Sequence, residues 1–215
     1  MKHRAILVVF LLVLVFSANG QNPERAVSRN VLSSAAFPKI KVRVNGNFKY
    51  VGKFGFVIPK MANGQRYVFV DADKNKRVKR LFIFQFEEIL KESSEIYRYS
   101  FANARKIGSH LFRHNTFAYG NREARRENPH GEGVLTEDFL VKMGYTVEDE
   151  LMASRFLTVP DAEKKHEMIM FYIENVGETN HLLSDLYHND ERTEIWERIA
   201  ASLTARSELA FTISD

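Results

Sequence analysis

The residues with the clearest chemical potential in this chain are two histidines four apart, His110 and His114. On a helix that spacing puts both imidazoles on one side, where with a further ligand they could hold zinc, copper or a haem iron. His130, His166, His181 and His188 are available as that ligand. The pair encloses Leu111-Phe112-Arg113, so it lacks the intervening glutamate of a zinc peptidase and has a guanidinium beside it. Carboxylates do acid–base work when their surroundings separate their pKa values. Glu87-Glu88, Glu137-Asp138 and Glu148-Asp149-Glu150 are adjacent in sequence, which reads as helix starts and polar faces. Ser109 beside His110, and Ser184 near Asp185 and His188, lack the Gly-x-Ser-x-Gly elbow of a serine hydrolase. Asp71, Asp73 and Asn75 have the first spacings of a calcium loop. Lys76 and Phe82 occupy the places of its glycine and terminal glutamate, so the segment reads as a turn. No catalytic residue and no cofactor is assigned.

Two further sets suggest binding. Lys39, Lys41, Arg43, Lys49 and Lys53 form a basic strand face suited to an anionic envelope surface or an acidic partner, although exposed lysines also discourage edge pairing. The chain has 17 Phe and 8 Tyr. A curved sheet lined by Phe54, Phe56, Phe84, Tyr97 and Tyr99, with Met168, Met170 and Tyr172 in phase, could enclose an apolar ligand; the same residues would serve equally as core.

The N-terminus sets the expected compartment. Residues 1–4 are Met-Lys-His-Arg, residues 5–16 are unbroken apolar, and Ala18 and Gly20 are small. This is the pattern of a secretory signal peptide cleaved between Gly20 and Gln21, and its apolar run is shorter than the roughly 20 residues a spanning helix needs. The mature chain is expected to be periplasmic or secreted, without a transmembrane span. Removing residues 1–20 leaves 195 of 215, enough for one full-sized core. It also removes two of the 31 basic side chains, leaving 29 against 27 acidic ones. So balanced a chain has no global field for nucleic acid, and no such partner is expected. With no cysteine, disulfides, thiol catalysis and Cys-ligated metal are excluded.

The elements that must position these residues follow from hydrophobic period. Residues 21–34 read as a lead-in or short first helix. Ile40, Val42 and Val44 then alternate with cations, and Asn45-Gly46 signals a turn into a second alternation, Phe48 to Ile58. A three-residue connection, 45–47, would pair Val44 with Phe48 and keep both apolar sets on one side. Residues 66–70 and 78–86 read as the arms of a hairpin, the second apolar on both faces and so expected to lie centrally. Residues 96–101 read as an aromatic strand and 103–112 as a helix bearing the histidine pair. Thr136 caps a short helix, residues 157–159 and 167–176 form a hairpin around Pro160, and residues 209–213 return as a strand. Ile195, Trp196, Ile199, Ala200 and Leu203 make the clearest helical stripe.

The expected fold is α+β: a largely antiparallel sheet covered on one face by helices, including a C-terminal helix, in a single domain spanning 38–215. In its order of elements, and at Phe54-Gly55-Phe56-Val57-Ile58-Pro59, the later hairpin and the Trp196 helix, the chain resembles small PsbP-like α+β proteins. That resemblance implies the fold class and transfers no partner or binding residue. The expected function is a non-enzymatic exported domain that binds a protein partner or a small apolar ligand. A metal- or haem-binding periplasmic protein and a secreted hydrolase are the alternatives.

Overall fold

A computed structural model describes residues 24–189 and 191–214. The segment read as a signal peptide, 1–20, lies outside the described residues. In chain order the elements are strands β1 (Arg25–Ser28), β2 (Val31–Ser34), β3 (Ile40–Val44), β4 (Lys49–Ile58), β5 (Ala62–Ala72), β6 (Val78–Ile89), β7 (Arg105–Ile107) and β8 (His110–Gly120). Helices α1 (Asn121–Glu127) and α2 (Glu132–Lys142), strands β9 (Glu150–Thr158) and β10 (His166–Asn175), and a short helix α3 (Leu183–Leu186) follow. The small hairpin of β11 (Tyr187–His188) and β12 (Glu191–Arg192), helix α4 (Glu194–Leu209) and β13 (Phe211–Ser214) complete the described chain.

A seven-stranded sheet runs β4-β5-β6-β10-β9-β8-β7, and a four-stranded sheet runs β1-β2-β3-β13. Every strand pair in both is antiparallel. On one face of the larger sheet, Phe69, Phe82, Phe84, Phe156 and Tyr172 meet Leu32, Val42 and Phe211 of the small sheet and Trp196 and Leu203 of α4. On the other face, Val68, Leu81, Ile83 and Ile173 meet Leu140 and Phe139 of α2. The architecture is α+β, antiparallel sheets covered by helices including a C-terminal one, in a single domain. The helical cover is shared between the two faces. β6 carries both cores because its successive side chains alternate between them. No helix among the described residues is long and apolar enough to cross a membrane.

Two β-bulges decide which face a side chain joins. The ladder passes from Tyr50↔Phe69 to Gly52↔Val68, leaving Val51 as the extra residue. Tyr50 therefore packs with Phe69, whereas Phe54 turns to α2, its ring 5.1 Å from Phe139. Gly52 has φ +137°, and a Cβ there would lie 3.0 Å from the Phe139 ring. A second shift between Asp71 and Ala72 makes Lys79 the extra residue and sends Val78 to the side of Leu81 and Ile83.

Several expectations are corrected. Residues 25–34 form a hairpin that turns on Arg29 and Asn30, both at positive φ, and Leu32 is buried in the core. Asn45-Gly46 does not close a hairpin: β3 pairs with β2 and β13, and β4 with β5, so the turn crosses between sheets. Its geometry is fixed by Asn45, whose backbone N–H donates to the Ala210 carbonyl at 2.8 Å. Residues 96–101 form no ladder; they lie as an extended loop whose Tyr97 N–H donates to the Lys164 carbonyl. Residues 103–112 are not helical but belong to the β7–β8 hairpin, which turns at Gly108-Ser109. The last strand completes the small sheet and leaves the large one unchanged.

Candidate functional site

Beyond the reach of α2, the larger sheet carries polar side chains where its face should be apolar. Gln85 and Glu87 continue the Leu81–Ile83 row on β6, and Glu167 on β10 is the direct cross-strand partner of Glu87. Residues so opposed hold their Cβ atoms about 4.5–5.5 Å apart. Both carboxyls are buried, Glu87 to 7% exposure and Glu167 to 3%. The Tyr97 hydroxyl donates to Glu87 Oε2 at 2.8 Å, and the Gln85 amide donates to Oε1. Glu167 Oε2 accepts only the Tyr99 hydroxyl at a long 3.4 Å, and its Oε1 is buried with no hydrogen-bond partner. Desolvation first, and the Glu87 charge second, push the Glu167 carboxyl up to about 8. Burial likewise raises Glu87, opposed by its bonds from Tyr97 and Gln85. At neutral pH one proton is therefore held where two carboxylates meet.

Neighbouring cations are committed elsewhere. Arg66, 5% exposed, donates to Gln85, and its Nη1 reaches the Glu132 carbonyl and Thr136 Oγ1, each at 2.6 Å. Its guanidinium also lies 5.3 Å from the Phe171 ring and 5.9 Å from that of Phe56. Arg155 donates to Asn115 Oδ1 at 2.9 Å.

The histidine pair lies on β8, where residues four apart share a face but stand about 13 Å apart along the strand. One metal cannot bridge that separation, and no group of three or more His, Asp or Glu among the described residues is arranged to hold a metal. His114 instead joins a packing network. Its Nε2 meets Ser154 Oγ at 2.8 Å, Ser154 meets Ser207 at 2.8 Å, and its ring lies 4.6 Å from Phe156. Burial above all, with the Arg105 charge adding to it, lowers the imidazole to about 4, so it is neutral at ordinary pH. Both serines are fully buried, out of a substrate's reach.

The remaining candidates separate. Phe84, Met168, Met170 and Tyr172 are fully buried between the larger sheet, the small sheet and α4. Phe54 and Phe56 belong to the opposite face, where Phe56 covers Gly64 so closely that a Cβ there would lie 2.1 Å from its ring. Tyr97 and Tyr99 stack with ring centroids 6.4 Å apart above the carboxyl pair. Lys39, Lys41 and Arg43 share the exposed outer face of the small sheet. Lys49 and Lys53 are not part of that surface: they lie on edge strand β4, and Lys53 extends over the Tyr67 ring. Among the acidic groups, Glu137 and Asp138 receive Arg125, and Asp73 Oδ1 accepts the N–H groups of Asn75 and Arg77 as a turn.

No family model, curated protein or solved structure matches this chain. The two surfaces are therefore interpreted from their own chemistry.

Sequence reading missed Glu167, Gln85, Arg66 and Arg155 as members of a site. The available signal was polar residues in phase with apolar ones: Gln85 and Glu87 follow Leu81 and Ile83 at alternate positions, and Glu167 precedes Ile169 and Phe171. A charge in a buried phase calls for a partner.

Proposed function

We propose that this chain is an exported, non-enzymatic binding domain that docks an acidic partner protein on the outer face of its four-stranded sheet. The observation supporting this is the composition of that face. Lys39, Lys41 and Arg43 follow one another at alternate positions, about 7 Å apart, and all are exposed. The exposed residues around them are Ala26, Ser28, Ser33, Thr212 and Ser214, none of the four strands contains an acidic residue, and the nearest, Glu24, lies just before β1 at the sheet's far edge. Edge protection does not account for these cations, because β3 lies inside the sheet between β2 and β13. A row of cations at strand spacing matches an extended acidic segment carrying charge at every second residue. A membrane surface is a poorer fit, since the face around the cations offers hydroxyls and small side chains, and Phe37 beside it packs on the His166 ring.

The packing of Phe84, Met168, Met170 and Tyr172 into the core favours a protein partner over an apolar ligand. Export is supported by the basic, apolar and small pattern of residues 1–20.

The test uses the chain from Gln21 onward with poly-L-glutamate and, separately, phosphatidylglycerol vesicles. Binding to polyglutamate should weaken with salt and fall at least tenfold in the combined variant K39E/K41E/R43E. The variant K49E/K53E should bind as the parent does. Vesicle binding without polyglutamate binding would overturn the proposal.

A further inference from the structure

We propose that Glu87 and Glu167, beneath Tyr97 and Tyr99, form a binding site for a small organic cation, an alkylammonium or guanidinium group. This site is independent of the basic sheet, since it lies on the far face of the larger sheet. Two buried carboxyls face each other there, and their hydrogen-bond donors are all neutral: Tyr97, Gln85 and Tyr99. Among the described residues no ion pair reaches either one. Glu167 Oε1 has no partner at all although it is buried. Such an atom costs free energy unless something donates to it, and no cation is bonded to either carboxyl.

The charged groups around the pair leave that place open. Arg66 on β5 is held by Gln85 and by the first turns of α2, and Arg155 on β9 is turned to Asn115. Arg113 on β8 lies over the Tyr99 ring, and Lys165 donates to the Ser93 and Glu95 carbonyls. The Glu132 charge on α2 raises both carboxyls further, while the more distant fields of Arg66 and Arg155 act the other way on Glu87 and Glu167 respectively. The tyrosines meet the carboxyls through their hydroxyls, which can turn to accept from a bound cation's N–H groups. Tyr99 supplies the entrance: it is 37% exposed, and its 3.4 Å bond to Glu167 is at the weak end of the range. A cation entering past Tyr99 takes the place of the proton on Glu167, so uptake of the ligand releases that proton.

The experiment is calorimetric titration of the mature chain with agmatine and with propylammonium at pH 7, in two buffers of different ionisation enthalpy. Sodium chloride at matched ionic strength is the control. Saturable binding is expected, with close to one proton released per ligand. Glu167→Gln should weaken it at least tenfold and abolish the proton release, Glu87→Gln should weaken it comparably, and Tyr99→Phe should change it only several-fold. Failure of both probes to saturate, binding without proton release, or unchanged affinity in both glutamine variants would each overturn the proposal. None of these outcomes bears on polyglutamate binding, so the two surfaces are judged separately.

Discussion

Replacing Glu167 by glutamine isolates the energetic consequence of the buried carboxyl pair. The folded chain holds this proton up to about pH 8, whereas an ordinary glutamate releases it near 4.5. Between those values the folded state binds one proton more than the unfolded state, so stability falls as pH rises. The slope is about 1.4 kcal/mol per pH unit, and crossing the whole window costs on the order of 5 kcal/mol. That is a large part of a typical domain's total stability. Its cause lies in burial at 3% exposure and in the facing Glu87, with no cation bonded to either group.

Glu167→Gln keeps the planar, similarly sized side chain and removes the titration. Urea unfolding at half-unit steps from pH 4.5 to 9 reads the difference directly. The parent midpoint should change little to about pH 6.5, where the opposite slope of His114 offsets it, and then fall to pH 8; the variant should not show that fall, gaining several kcal/mol on the parent by pH 8.5. Glu87→Gln should narrow the window from the other side, because it removes the repulsion that helps hold the proton on Glu167. Parallel curves for the parent and Glu167→Gln would refute the reasoning.

Three other perturbations follow from the same packing. His114 is held down at about 4 against an ordinary 6.5, so the unfolded chain binds the extra proton in that window and stability rises with pH through it. Partial exposure of the ring reduces the effect to about 1–3 kcal/mol, which offsets the Glu167 slope between pH 4.5 and 6.5. In His114→Gln that offset disappears, and urea midpoints should decline from pH 4.5 upward. Gly64→Ala places a methyl group against the Phe56 ring and should cost about 1–3 kcal/mol, read as a lower thermal midpoint with the circular dichroism spectrum unchanged. Arg206→Ala leaves Glu174 buried without the guanidinium that binds both its oxygens, and should cost about 2–4 kcal/mol at pH 7. Arg206→Lys, which keeps the charge, should recover part of that cost in the urea midpoint; no recovery would point to lost packing instead.

The parts of the fold that were legible in the sequence are those where one period runs unbroken. The β5–β6 hairpin beyond its bulge, the β9–β10 hairpin around Pro160 and the Trp196 stripe of α4 all belong to that group. The bulges at Val51 and Lys79 were not legible, because one extra residue exchanges the faces of everything beyond it while each half still alternates. That is why Phe54 and Phe84, in phase on paper, serve different cores. The misread helix at 103–112 shows the opposite failure: Ala104, Ile107, Gly108 and Leu111 fit a helical face by chance. The decisive feature was Gly108-Ser109, a two-residue turn between Ile107 and His110. The basic row was readable at Lys39, Lys41 and Arg43 because they share one unbroken alternation that runs into β3. Its supposed extension to Lys49 and Lys53 failed because the chain changes sheets at Asn45-Gly46.

The two surfaces owe their character to what lies between them. Phe69, Phe82, Phe84, Phe156 and Tyr172 are between 0% and 1% exposed and hold the small sheet against the larger one. Interiors so filled resist compression and keep their side chains in place. The cations of β3 are consequently offered as a fixed row on a backed sheet, with little ordering cost when a partner docks. The acid pair lies on the other side of the same layer, where α2 stops short and the 96–101 loop takes over. The loop covers the pair with two tyrosines, one buried and one at the surface. Burial raises the Glu167 carboxyl, and its one bond, to Tyr99, is long, which is why the proposed cation site falls at the polar end of an otherwise apolar face.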